Sequence, residues 1–102
     1  MSDLVDFEDL RDLDGSDLRA VLNQVSPEEL LVAMAGTPPG LRRSLLTKLS
    51  STSAVQLEAQ INAYGTVSFE SAKHAQRVVV EVLCRLSRAG QVAFNDPEDM
   101  VA

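Results

Sequence analysis

Residues 26–36 read SPEELLVAMAG, an amphipathic stretch that carries its own start and stop signals for a helix. Ser26 is a favoured N-cap residue, Pro27 fits the first helical position, and Glu29 can close a capping box with Ser26. Gly36 is typical of the residue that follows a helix. We therefore predict a helix that begins after Ser26 and ends at Gly36, and the same kind of pattern recurs along the chain.

Four further helices are predicted from apolar residues three and four positions apart, together with capping residues and glycines. Thr37 and Ser50 are the expected N-caps of the third and fourth helices. Gly65 and Gly90 are the expected ends of the fourth and fifth. The approximate ranges are 16–25 for the first helix, 51–64 for the fourth and 70–89 for the fifth. The third helix has Pro38 and Pro39 in its first turn and carries Leu41, Leu45, Leu46 and Leu49.

The two longest helices each have an apolar face that we expect to point into the core. On the fourth helix this face comprises Ala54, Leu57, Ile61 and Tyr64. On the fifth it comprises Ala72, Ala75, Val79, Val82, Leu83 and Leu86. Their spacing matches one side of a helix and not the alternation of a strand.

Composition agrees with a helical fold and limits its size. Of the 102 residues, 45% are hydrophobic but only 4% are aromatic, so the core must be built from Leu, Val and Ala. A chain of this length has room for one core and no second domain. The predicted fold class is therefore all-α, a single compact domain of about five antiparallel helices.

Charge is segregated along the chain, and this segregation suggests its division. The formal net charge is −6, and residues 1–17 hold seven acids against one base. Residues 18–95 hold eight bases against five acids, whereas residues 96–102 add three acids. We predict an acidic N-terminal arm at 1–15, a helical domain at 16–93 and an acidic tail at 94–102.

Several classes of protein are set aside by these features. No apolar run approaches the roughly 20 residues that span a bilayer, and the acidic N-terminus is unlike a signal peptide. A lone Cys84 cannot form an internal disulfide, so the expected compartment is the cytoplasm. Nucleic-acid binding is not expected, because no recognition motif or aromatic interleaving accompanies the basic residues.

Catalytic and metal-binding constellations are also missing from the pattern, so we expect no enzyme and no cofactor. His74 and Cys84 lie ten residues apart on one helix, about 15 Å along its axis, which is too far for a Cys/His pair. A calcium loop that begins at Asp12 would need Gly and Glu where Asp17 and Asn23 stand. We expect His74 to be solvated and Cys84 to be a small packing residue.

A basic face on the fifth helix leaves two interpretations open. Arg77, Glu81 and Arg85 are spaced four residues apart, which usually forms a solvated, salt-bridged face. Alternatively Arg77, Arg85 and Arg88 could dock an acidic partner or the acidic arm of this chain. The first interpretation is favoured, since surface ion pairs are common and contribute little.

Taken in order, these landmarks resemble the C-terminal domain family of the flagellar motor switch protein FliG. The resemblance covers about residues 4–93 and starts at Leu4-Val5-Asp6-Phe7, which stands where the family has its Met-Phe-x-Phe hinge. Met34-Ala35-Gly36 resembles the family's LKGA turn, and Gly65-Thr66-Val67 resembles its GPV segment. Ala89-Gly90-Gln91-Val92 resembles the end of its last helix. A hinge at Leu4, Val5 and Phe7 is implied.

Membership of this family would imply a protein-binding part of the flagellar rotor. In the family, the domain presents a charged helix to the stator and takes up torque, while contacts to the switch protein FliM set its orientation. The fourth helix of this chain is the counterpart of that torque helix. The family's five key charges would fall on residues that are all uncharged here: Ala35, Thr52, Ala59, Gln60 and Ser68.

Two functional hypotheses follow from the resemblance. The first is a rotor or switch component of the flagellar motor, cytoplasmic or peripheral at the basal body, that binds stator or switch proteins. The second is a FliG-like adaptor or regulator in a non-flagellar assembly, because the torque charges are absent. The chain also has no counterpart of the family's N-terminal and middle domains, so we expect either a fragment or a free-standing relative.

Overall fold

A 3₁₀ helix and five α-helices follow one another in the computed structural model, which describes residues 6–92. The 3₁₀ helix spans Phe7–Asp12, and the α-helices are α1 (Gly15–Asn23), α2 (Pro27–Ala35), α3 (Pro39–Leu46), α4 (Ser51–Tyr64) and α5 (Phe69–Arg88). The all-α prediction with about five helices is confirmed. Leu4, Val5 and the predicted tail at 94–102 lie outside the described residues, and the division into arm, domain and tail stays a prediction.

Helices α2 and α4 begin at the serine N-caps that the sequence predicts, Ser26 and Ser50. The Oγ of Ser26 accepts a hydrogen bond from the backbone N of Glu29 at 3.3 Å, and the Oγ of Ser50 accepts one from Ser53 N at 3.2 Å. Such caps satisfy backbone donors that have no partner inside the helix. The capping box predicted at Ser26 is only half formed, because the Glu29 carboxylate does not complete it.

Thr37 is not the N-cap of α3, and the prediction that it would be is wrong. Its hydroxyl donates to the carbonyl oxygen of Ala33 at 2.7 Å, so it completes the end of α2 instead. Gln76 of α5 donates from Nε2 to both Ala33 O, at 3.2 Å, and Thr37 Oγ1, at 3.3 Å. Thr37 is thereby buried, and α3 begins at Pro39 without a side-chain cap.

The centre of the molecule is α5, which makes its most extensive contact with α2 and further contacts with α1 and the 3₁₀ helix. All six apolar residues predicted for its inward face are buried, and Val80 and Cys84 are buried beside them. Full burial of a Val or Leu side chain is worth about 1.5–3 kcal/mol, against about 0–1 kcal/mol for a surface ion pair. The apolar stripe therefore holds this helix in place, and its arginines contribute little.

The 3₁₀ helix packs into the same core from the other end of the chain. Phe7, Leu10 and Leu13 are buried among residues of the main cluster, and the 3₁₀ helix contacts α3 and α5. Lys48 fixes this segment further, because its Nζ donates to the carbonyl oxygen of Leu13 at 2.6 Å. Residues 7–13 therefore share the core of the α-helices.

The close approach of α2 to α5 depends on Gly36. A Cβ at this position would overlap the Cβ of Ala72, which lies in the first turns of α5 and is buried. Its φ of −89° is open to any residue, so the requirement for glycine is steric and does not come from backbone strain. The end of α2 can therefore meet α5 only through two very small residues.

Substitution of this glycine tests the contact. We expect Gly36→Ala to lower the free energy of unfolding by about 1–3 kcal/mol, because the new methyl group forces the two helices apart. Chemical denaturation followed by circular dichroism measures the change. The matched control is Gly40→Ala, since Gly40 lies in a helix with open space around it, and we expect no loss of stability there. Equal destabilisation by both changes would contradict the packing argument.

Candidate functional site

The candidate site is the surface of α4, which has the smallest fraction of buried residues among the α-helices. Only Ile61 of its fourteen residues is buried, while Ala54 and Leu57 are half-buried against the core. These three residues confirm the predicted inward face. Tyr64 is a correction to that face, because 43% of it is exposed where α4 ends. Gly65 forces the chain to turn away there, with φ +89° and ψ −153°, before the core could cover the tyrosine.

The opposite side of α4 is a continuous exposed surface without charge. We call it the α4 surface, and its residues are Thr52, Gln56, Ala59, Gln60 and Ala63. Val55 lies at its edge and is 67% exposed, which is unusual for a large aliphatic side chain. Glu58 is the only charged residue between 51 and 64. This surface offers amide hydrogen bonds and apolar contact, but no ion pairing at its centre.

The five predicted interaction positions do not all lie on that surface. Thr52, Ala59 and Gln60 do, and each is exposed. Ser68 caps α5: its Oγ accepts from Ser71 N at 3.1 Å and donates to Ser71 Oγ at 2.9 Å, so its hydroxyl is already engaged. Ala35 is the last residue of α2 and is half-buried against the core. The assignment of these positions to protein binding stays a prediction.

The other predicted sites fall elsewhere in the fold. Phe7, the described member of the predicted hinge, is buried in the core. Arg77, Arg85 and Arg88 are exposed on α5, as a docking face requires. His74 is exposed and Cys84 is buried, as their sequence context predicts.

A second feature, which the sequence did not indicate, is a groove between the N-terminal ends of α2 and α5. We call it the α2–α5 groove; its volume is about 770 Å³. Its walls come from the first turns of α2 and α5, and its end from Tyr64 and the linker at 66–68. Glu28, Glu29 and Glu70 line it, together with His74. No local signal in the sequence could reveal it, because it forms only when three helix ends meet.

The described part of the chain contains neither a metal-binding cluster nor a membrane-spanning helix. Among residues 6–92, no group of three His, Cys, Asp or Glu side chains is placed to hold a metal ion. No helix of that region is both long enough and apolar enough to cross a membrane.

Comparison with known sequences assigns the chain to a family. The sequence model described as the FliG C-terminal domain matches residues 1–94. The chain belongs to the FliG C-terminal domain family. Flagellar motor switch protein FliG of Thermotoga maritima is 27% identical to it over 86% of this chain and 26% of its own length. FliG of Aquifex aeolicus is 28% identical over 88% of this chain and 27% of its own length.

Solved structures of FliG share the fold described above. A crystal structure of residues 116–343 of Helicobacter pylori FliG superposes with a TM-score of 0.77 and 26% sequence identity. The match covers 88% of this chain and 40% of that one. A second H. pylori FliG crystal structure, residues 86–343, gives a TM-score of 0.76 over 88% of this chain and 42% of that one. The chain spans about a quarter of the length of the curated FliG relatives, so it corresponds to one part of them.

Substitutions on α4 separate its inward side from the α4 surface of this FliG-like domain. We expect Ile61→Ala to lower the free energy of unfolding by about 2–5 kcal/mol, because it leaves a cavity under the helix. Gln60→Ala should change it by less than about 0.5 kcal/mol, because the amide is exposed. Thermal and urea unfolding measure both values. Comparable losses for the two variants would mean that the orientation of α4 about its axis is wrong.

Proposed function

We propose that this chain is a rotor or switch module of the bacterial flagellar motor and that it works by binding proteins and not by catalysis. The observation that carries the proposal is the match of the FliG C-terminal domain model to residues 1–94. The agreement of fold with H. pylori FliG, at a TM-score of 0.77, supports it. The relatives named above are all flagellar motor switch proteins, so nothing in the comparison favours a non-flagellar adaptor.

The proposal assigns the α4 surface as the contact with stator or switch proteins. It is the exposed face of the helix that corresponds to the torque helix, and three of the five key family positions lie on it: Thr52, Ala59 and Gln60. Because these positions are uncharged, ion pairing cannot drive the contact here. Gln56 and Gln60 would supply hydrogen bonds, and Ala63 and Val55 would supply packing area.

A neutral contact has different kinetics from a charged one. Opposite charges across an interface steer encounter and raise association rates to about 10⁸–10⁹ M⁻¹s⁻¹ at low salt, against about 10⁵–10⁶ M⁻¹s⁻¹ for neutral surfaces. The α4 surface lacks this electrostatic steering because its residues are uncharged. Its partner must therefore be held nearby by other means, as it would be within a large assembly on the cytoplasmic side of the basal body.

The predicted hinge and the arginines of α5 would have secondary roles in this function. Leu4, Val5 and Phe7 would form the hinge that lets the domain reorient. Burial of Phe7 in the core supports an anchoring role at the domain end of such a hinge. The exposed arginines of α5, Arg77, Arg85 and Arg88, are the second candidate contact, for an acidic partner.

Motility tests the proposal directly. Deletion of the gene in its native host should reduce spreading in soft agar, and the wild-type gene should restore it. We expect the double variant Gln56→Ala, Gln60→Ala to restore it poorly while the purified protein unfolds at the wild-type temperature, since both amides are exposed. Normal swimming of the deletion strain would overturn the flagellar role.

A matched variant on the other candidate face decides which surface is used. Arg77→Ala, Arg85→Ala removes two exposed side chains from α5 and leaves α4 intact. We expect this variant to restore swimming as well as the wild type. Loss of swimming with the arginine variant and full swimming with the glutamine variant would move the contact to the basic face.

Salt dependence gives a second, biochemical test of the neutral contact. Binding to purified stator or switch proteins, measured by surface plasmon resonance, should lose less than about threefold in association rate between about 50 and 300 mM NaCl. A loss of tenfold or more would show that charged groups outside the α4 surface carry the encounter.

A further inference from the structure

We propose that the α2–α5 groove is a docking site for a basic segment of a partner protein, with an arginine or lysine side chain against Glu29. The groove lies at the end of α4, and none of the predicted interaction positions requires it apart from Ser68 at its rim. The proposal adds a second contact to the domain. It rests on the groove itself and does not depend on the flagellar role.

The charges that line the groove select a cation. Glu28, Glu29 and Glu70 line the groove, and no lysine or arginine lines it with them. The ammonium of Lys73 lies over the ring of Phe69 instead. The N-terminal ends of α2 and α5 each contribute about half a positive charge, and the C-terminal end of α4 contributes about half a negative one. The helix ends therefore offset only a small part of three carboxylates, and the field in the groove remains negative.

The serines that cap these helices also make an anion a poor occupant. Ser26 Oγ accepts from Glu29 N at 3.3 Å, and Ser68 Oγ accepts from Ser71 N at 3.1 Å. These are the backbone donors that an anion bound at a helix N-terminus would use. With the caps in place and acids in both first turns, a phosphate or carboxylate would meet repulsion.

One carboxylate oxygen in the groove wall requires a donor. Oε2 of Glu29 is buried and accepts no hydrogen bond within residues 6–92. A buried acceptor without a partner is costly, and a charged donor supplies the strongest hydrogen bond for it. Glu29 is only half-buried, so a rotation of its side chain toward the groove would bring the carboxylate to a guanidinium or ammonium group there. That contact would satisfy an oxygen that the described fold leaves unsatisfied.

The occupant must be a side chain with an apolar stem, not a bare metal ion. No three acidic or metal-binding side chains of residues 6–92 converge closely enough to hold a metal. Between the carboxylates the walls are apolar, with Val32, Val67 and Ala75 beside the ring of Tyr64. Arg and Lys bury their methylene stems on such surfaces while the charged end seeks polar partners.

The groove has room for a short peptide segment. Its volume of about 770 Å³ falls within the range of about 300–1,000 Å³ that is typical of ligand sites. Phe69, which stands between the lining residues Ser68 and Glu70 in the sequence, is 75% exposed, with the Lys73 ammonium 5.5 Å from its ring centroid. A neighbouring apolar residue of the partner has this ring to pack on, so we expect a basic residue flanked by an aliphatic one.

Nuclear magnetic resonance with a defined peptide tests the proposal on the full 102-residue chain. The probe is acetyl-Gly-Leu-Arg-Leu-Arg-Gly-amide, and its control carries citrulline in place of both arginines. We expect the arginine peptide to shift backbone amide signals of residues 26–32 and 64–75 in a saturable manner. The citrulline peptide, which keeps the shape but loses the charge, should bind at least about fivefold more weakly.

Variants locate the contact within the groove. Glu29→Gln and Glu70→Gln should each weaken the arginine peptide about three- to tenfold. Glu70 is exposed, so its variant keeps the test valid if Glu29→Gln alters the fold. The matched control is Glu81→Gln, an exposed acid of α5 outside the groove, and it should leave the affinity unchanged.

Three results would overturn the proposal. They are equal binding of the arginine and citrulline peptides, shifts centred outside the groove, and wild-type affinity in both the Glu29 and Glu70 variants. Tighter binding of a peptide with glutamate in place of arginine would also overturn it, because the groove would then be an anion site. Each result is obtained without a motility measurement, so it can be distinguished from failure of the flagellar proposal.

Discussion

The close packing of α2 on α5 is the constraint on which the rest of this fold depends. A core with almost no aromatic residues must obtain its buried area from many small aliphatic contacts, and these require helix backbones to approach closely. Gly36 against Ala72 provides that approach at the end of α2. The hydrogen bonds from Gln76 to Ala33 and Thr37 then fix the same junction with polar groups. Steric fit and hydrogen bonding therefore act on one crossing point.

The position of α4 follows from this arrangement. Because α2 makes its most extensive contact with α5, α4 packs mainly on the remaining side of α2, and only Ile61 of α4 is fully buried. A helix held along one narrow line leaves most of its circumference in solvent. The same geometry opens the α2–α5 groove, since α4 ends at Gly65 before it can cover the first turns of the two central helices. The exposed surface and the groove therefore both follow from the limited contact of α4 with the rest of the fold.

Much of this architecture could be predicted from the sequence because its signals are local. Ser26, Ser50 and Gly65 act within one turn of their own helices, and the period of the α5 stripe needs no knowledge of its neighbours. Thr37 was misassigned because two roles were locally possible, and the choice between them depends on Gln76, thirty-nine residues away. Tyr64 was misassigned for a similar reason: its position on the helical wheel is inward, but no element among residues 6–92 covers it at the end of α4. The groove was not predicted at all, since acids in two first turns look like ordinary helix capping until the turns are brought together.

The distribution of charge relates the α4 surface to the groove. The net charge of −6 belongs mostly to the two ends of the chain, and residues 18–95 carry an excess of bases. Within that basic body, the α4 surface is neutral and the α2–α5 groove is acidic. A uniform electrostatic field would attract one kind of partner to the whole molecule. Surfaces of different charge, here the neutral α4 surface, the acidic groove and the basic face of α5, can instead discriminate between partners by position. In this member of the FliG C-terminal domain family the α4 surface is uncharged, and charged side chains lie beside α4, among them those of the acidic groove at its end. Any electrostatic selection of a partner next to α4 therefore has to act through these neighbouring groups.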